Sequence, residues 1–174
     1  MLPFFAPNNN LKLKTMLTPK QSEFMQEAIN LSIENVKSGK GGPFGAVIVK
    51  DGKIIARGAN GVTSTNDPTA HAEVVAIRNA CKELGTFQLD GCEIYTSCEP
   101  CPMCLGAIYW ARPDRIYFAN TKKDAADIQF DDQFIYNELE LHFTGRKMET
   151  RQMMREEALV AFKLWSESIS KIEY

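Results

Sequence analysis

The sequence predicts an α/β fold of three layers, α/β/α, with a central mixed sheet flanked by helices. Three observations predict it. The dipeptide Asp51-Gly52 separates two runs of strand character, FGAVIVK and KIIARG, and marks a two-residue hairpin. Two later strand-like runs, CEIYTS and RIYFAN, each follow a segment of helical spacing. Strands joined through helices pair in parallel, so adding such units to a hairpin gives a mixed sheet.

The elements follow in order. Thr18-Pro19-Lys20-Gln21 starts a helix: Thr18 can cap it, Pro19 suits its first position, and Gln21 completes a capping box. Phe24, Met25, Ala28, Ile29, Leu31, Ile33 and Val36 recur at roughly helical spacing, and Gly39, Gly41 and Gly42 end the run. After the hairpin, GVTSTNDPTA (61–70) reads as a polar loop. HAEVVAIRNACKEL has the spacing of a helix buried on more than one side, and CEIYTS is a short strand. CPMCLGAIYWA is a helix with Pro102 in its first turn, and RIYFAN is the last strand. The tail holds a short segment, FDDQFIYNEL, and a charged amphipathic helix from about Glu149 to Ser168.

Composition narrows the function. The chain of 174 residues is the size of one domain, placed at 16–174, and can bury a real core. Its 44% hydrophobic and 24% charged content are those of an ordinary globular protein. A formal net charge of −2, with no basic run, argues against nucleic acid as a partner. No stretch reaches the roughly 18 apolar residues that cross a bilayer, so no membrane partner is expected. MLPFFAPNNNLKLKT lacks the charge and apolar run of an export signal and reads as a disordered extension (1–15), with Met16 an alternative start. A cytoplasmic, reducing compartment follows, in which five cysteines are metal ligands or buried thiols rather than disulfides.

One constellation carries chemistry. His71 stands at the start of one predicted helix, and Cys101 and Cys104 lie three apart in the first turn of another, their sulfurs pointing the same way. Helix N-termini favour thiolates, and in open α/β sheets they gather where sites form. One nitrogen and two sulfurs suit Zn2+ in tetrahedral geometry and leave the fourth position to water. The rival is a closed structural knot with Cys98 as fourth ligand, and spacing alone leaves it open. Glu73, two residues after His71, has a plain alternative as a solvated first-turn acid favoured by the helix dipole. Beside an open zinc position, however, a carboxylate is what hydrolysis requires as a proton carrier. A redox reading of Cys-x-x-Cys leaves His71 and Glu73 without a role.

His71-Ala72-Glu73 followed by Pro100-Cys101-Pro102-Met103-Cys104 resembles the signature of the zinc-dependent nucleobase deaminases, the cytidine-deaminase-like superfamily. Within it the chain from about residue 20 is most similar to the bacterial-type guanine deaminases, through GGPFGAVIVKDG, NDPTAHAEV, YTSCEPCPMCLGAIYWARP and FDDQFIY. The first fifteen residues, LHFTGRKMETRQ and the details of the last helix are not covered. The resemblance implies His71, Cys101 and Cys104 as zinc ligands and Glu73 as proton shuttle. It implies that the N–H groups of Ala72 and Cys101 polarise the base and that Asn60 bonds the purine edge. Phe44 and Trp110 are then apolar walls, with Asp132 and Tyr174 completing the pocket. It also implies a homodimer in which the C-terminal segment, 125–174, can be exchanged between subunits.

Chemistry supports the Asp132 assignment: guanine offers N1–H and its 2-amino group as adjacent donors, and one carboxylate accepts both. Asp131 is the neighbouring candidate, and both acids could instead cap the following helix. Phe44 and Trp110 could be core, and Asn60 a turn residue. The function expected is hydrolytic deamination of guanine to xanthine and ammonia. The alternatives are a deaminase of another base or heterocycle (tRNA adenosine, cytosine, isocytosine, a pterin) and a zinc-stabilised scaffold without activity.

Overall fold

The computed structural model describes residues 18–173. The expectations for residues 1–15, Met16 and Tyr174 lie outside the described residues. The chain runs α1 (Pro19–Lys37), β1 (Gly45–Lys50), β2 (Lys53–Ala59), α2 (Val62–Thr65), α3 (Ala72–Leu84) and β3 (Cys92–Cys98). It continues with α4 (Pro102–Ala111), β4 (Arg115–Asn120), α5 (Lys122–Asp127), α6 (Gln133–Glu140), a 3-10 turn (Phe143–Gly145) and α7 (Arg155–Glu167).

The local signals act as expected. Thr18 and Gln21 form the reciprocal capping box that starts α1. Asp51 and Gly52 both take positive φ, 50° and 67°, which is the turn whose twist matches the flanking strands. The sheet is mixed, in the order β2-β1-β3-β4. β1 pairs antiparallel with both β2 and β3, while β3 pairs parallel with β4 across α4. The unit β2–α3–β3 also returns its strand in the same direction, but β1 is inserted between the two.

Alternation along the strands divides the core between the two faces. On one face Val47, Val49 and Tyr95 pack with Phe24 and Ala28 of α1. On the other, Ala46, Ile48 and Ile94 meet Ala72, Ala76 and Ala80 of α3 and Ile108 of α4. The three layers are therefore α1, the sheet, and α3 with α4. Gly58 makes the second face tight: a Cβ there would run into the carbonyl oxygen of Ala72 and the nitrogen of Ala76. The first turn of α3 thus lies directly on β2.

Three features differ from the sequence reading. The polar loop at 61–70 contains the one-turn helix α2. Residues 122–127 form α5, capped by Thr121 and Asp124 in a second capping box that no long apolar run announces. The last helix starts at Arg155 rather than Glu149, because Met154 takes a left-handed conformation (φ 52°) that interrupts a continuous right-handed helix.

Candidate active site

His71 is the N-cap residue of α3, and Cys101 that of α4, both in extended conformation. Pro102 then fixes the first position of α4, and Cys104 follows in the same turn. Two helix N-termini therefore converge on one point, each with N–H groups that lack intrahelical partners. Nδ1 of His71 lies 3.6 Å from Cys101 Sγ and 3.4 Å from Cys104 Sγ. Metal–ligand bonds of about 2.0–2.3 Å at tetrahedral angles put nitrogen and sulfur about 3.5 Å apart. The donor set fits zinc in both chemistry and spacing, and its ligand atoms all lie within 4.8 Å of one another.

Cys98 does not join this group. Its Sγ points to the carbonyl oxygen of Thr121 at 3.6 Å, although the residue lines the same cavity. Burial first, then the nearby charge of Glu73, pushes its thiol up to about 11. Cys101 moves the opposite way, down to about 4, through the hydrogen bond from Cys104 and then through His71. Cys104 is raised, first by the same contact with Cys101, and His71 is raised first by its bond with Cys101. The cluster is already biased towards thiolate at Cys101, the form a metal takes.

Glu73 is only 5% exposed, which removes the reading as a solvated first-turn acid. Its Oε1 accepts a hydrogen bond from Thr96 Oγ1 at 3.2 Å, and its Oε2 accepts one from Cys104 Sγ at 3.4 Å. Burial is the main reason its carboxyl titrates above the usual range. Such a group can take a proton from water and hand it on.

These residues open into a cavity of about 430 Å3 lined by Phe44, Asn60, His71, Glu73, Cys101 and Asp132, among others. Asn60 is buried and locked. Its Oδ1 accepts from Gly42 N at 3.3 Å, and its own carbonyl accepts from Asn35 Nδ2 at 2.8 Å. Phe44 belongs partly to the core, but its ring also meets Phe130 edge to face at 5.0 Å. Ala72, fully buried, contributes the first backbone N–H of α3 beside His71.

The two aspartates separate. Asp131 Oδ1 accepts from the backbone N–H of Gln133 at 2.9 Å, a local turn at the start of α6. Asp132, although the N-cap residue, makes no capping bond with its side chain. Its carboxyl is held above the usual range, first by burial and then by the charge of Cys101. The segment reaches the site through Glu99, whose N–H donates to Asn120 O at 2.8 Å and whose Oε2 accepts from Lys122 N at 3.0 Å.

Trp110 does not line this cavity within the chain. Within one chain it is 62% exposed and lies with Val74, Ile77, Arg78 and Phe87 in a depression on the outer side of α3 and α4. It turns away from the cavity, whose apolar walls are Phe44, Phe130 and Phe134. Sequence reasoning missed Phe130 and Thr96. Thr96 had a signal: it interrupts an alternating buried file, Cys92, Ile94, Cys98, with a hydroxyl.

The sequence model described as the cytidine and deoxycytidylate deaminase zinc-binding region matches residues 18–120. The chain belongs to this family. Guanine deaminase of Bacillus subtilis (strain 168) is 56% identical over 151 residues, covering 87% of this chain and 97% of that protein. A crystal structure of Bacillus subtilis guanine deaminase superposes with a TM-score of 0.86 over 88% of this chain and 98% of that one. The tRNA-specific adenosine deaminase of Aquifex aeolicus is 47% identical over 81 residues, which are 47% of this chain and 54% of that protein. The family explains the shared core, and the guanine deaminase likeness continues well beyond residue 120.

Proposed function

We propose that the protein is a zinc-dependent guanine deaminase, a nucleobase aminohydrolase that converts guanine to xanthine and ammonia. The observation that carries this reading is a likeness of 56% spanning almost all of a guanine deaminase, where the tRNA-acting relatives align over about half the chain. His71, Cys101 and Cys104 hold the zinc in this proposal. When bound, the metal supplies a Lewis acid that makes its water a nucleophile near neutral pH.

The chain's own residues do the rest. Glu73 takes the proton of the attacking water at the carbon bearing the amine, C2, and delivers it to the adjacent ring nitrogen. It then carries a proton to the departing amine, which leaves as ammonia. The N–H groups of Ala72 and Cys101, at two helix N-termini, polarise the base. With Oδ1 of Asn60 tied to Gly42, its NH2 end is the donor left for the purine edge. Asp132 accepts from N1–H and the 2-amino group, a role that suits a carboxylate lining the cavity without a capping bond.

A homodimer with an exchanged C-terminal segment completes the proposal. No residue from 121 to 173 is buried, and Phe162 and Leu164 of α7 are 73% and 65% exposed, which suits a partner's surface. Trp110 and Tyr174 take their pocket roles in this arrangement, with Trp110 serving the partner's cavity. No described helix is long and apolar enough to cross a membrane, and a cytoplasmic site is proposed. Zinc-loaded protein mixed with guanine, adenine, cytosine and adenosine tests the reading through ammonia release. Release from guanine alone supports it, and release from adenosine in tRNA moves the protein to the other branch.

A further inference from the structure

We propose that Thr96 is a positioning residue for Glu73, holding Oε1 so that Oε2 is the oxygen that carries the proton. The inference deepens the deaminase reading and rests on it for the proton's path, but the contact itself does not depend on the substrate. Thr96 lies in β3, paired with Ala46 of β1 on one side and Phe118 of β4 on the other. Its backbone is therefore fixed from both sides. Being β-branched, its side chain has few rotamers to choose from.

Alternation points Thr96 at the layer of α3 and α4, in file with Cys92 and Ile94, while Tyr95 packs with Phe24 on the α1 side. Only 1% exposed, it would be a poor choice there without a partner for its hydroxyl. The partner is Glu73 Oε1, at 3.2 Å. The other carboxylate oxygen faces Cys104 Sγ, 3.4 Å away, on the side of the proposed zinc ligands. A rigid donor on the sheet and a ligand sulfur on α4 thus make the two oxygens inequivalent.

The consequence is a division of labour within one carboxylate. The O–H bond of the attacking water breaks and an Oε2–H bond forms; that bond then breaks as the ring nitrogen gains the proton. Oε1 keeps its bond to Thr96 throughout. A glutamate has three side-chain torsions, and without this anchor its carboxylate is free to turn away from the site between proton transfers.

Thr96→Val keeps shape and strand preference while removing the hydroxyl, and Thr96→Ser keeps the hydroxyl. Thr96→Val is expected to lower kcat about tenfold to a hundredfold, the range for losing a bond to a charged group, with KM within about twofold. Zinc content stays unchanged, and Thr96→Ser recovers kcat to within about threefold of wild type. A crystal structure of the zinc-loaded Thr96→Val protein should show the Glu73 carboxylate rotated from its wild-type position.

A Thr96→Val enzyme within twofold of wild-type kcat overturns the proposal. So does a serine variant as slow as the valine one, or a Glu73 that has not moved. If wild type turns over a base other than guanine, the substrate reading fails and the same comparison is made on that base. If it turns over none, the Glu73 position in the two crystal structures decides. Should Thr96→Val not fold, Thr96→Ala is scored in its place.

Discussion

Residues 18–120 bury their apolar side chains against one another in two clusters, one on each face of the sheet. Residues 121–173 bury none, and α7 exposes Val160, Phe162, Leu164 and Trp165. The first region carries both packed clusters, and it holds the three metal donors and Glu73. The second supplies Asp132 and the Phe130 wall but depends on contacts with the first, through Glu99 and Phe44. In the proposed mechanism the difference separates chemistry from selection: the family model covers the packed region, while the guanine deaminase likeness also takes in most of the exposed one. Replacing residues on either side of the boundary at 120 should therefore move different kinetic constants.

The largest effect belongs to the packed region. Glu73→Gln keeps the size of the side chain and can still accept from Thr96, but it cannot take up a proton from water. It is expected to lower kcat at least about a hundredfold while zinc content and KM change little. Zinc measured by atomic absorption beside steady-state rates checks both halves. A mutant within tenfold of wild type would remove Glu73 from the mechanism.

In the exposed region the constant that moves most is KM. Asp132→Asn turns one acceptor oxygen into an NH2 donor that meets the donors of guanine, so KM should rise about tenfold or more with a smaller loss in kcat. Asp131→Asn, whose oxygen serves the turn at Gln133, should leave KM within about twofold. Equal effects of the two variants would return the choice between them to open. Charge on α7 tests assembly instead: Phe162→Ser with Leu164→Glu should raise the dimer dissociation constant at least about tenfold, read by light scattering against concentration. An unchanged mass would place the dimer contact elsewhere.

What was legible in the sequence was whatever a short stretch decides by itself. Asp51-Gly52 fixes its own turn, Thr18 and Gln21 cap each other, and Cys101 and Cys104 meet because they share a helical turn. The convergence of His71 on those cysteines was readable because both lie at helix starts in an α/β frame. What was not legible depends on partners far along the chain. Phe130 becomes a wall only because α5 turns it onto Phe44, and Thr96 matters only because α3 sets Glu73 above it. Trp110 shows the converse limit: an apolar helix position names a buried or contacting face without saying which one.

Cys98 sits at the seam of the two regions, the last residue of β3, with its sulfur on the carbonyl of Thr121. That placement makes its expected effect small and its test of the metal site the sharpest. If three donors hold the zinc, Cys98→Ala removes only a weak S–H···O contact and about one buried sulfur's worth of packing. Zinc should stay at one per chain, and turnover should fall no more than about threefold. Loss of zinc would instead make Cys98 a fourth ligand, close the site to water, and turn the packed region into a structural knot. The two outcomes also part on geometry. A fourth ligand must swing its sulfur off Thr121 and break a tie between the strand and the segment that carries Asp132, whereas a three-donor site leaves that tie in place.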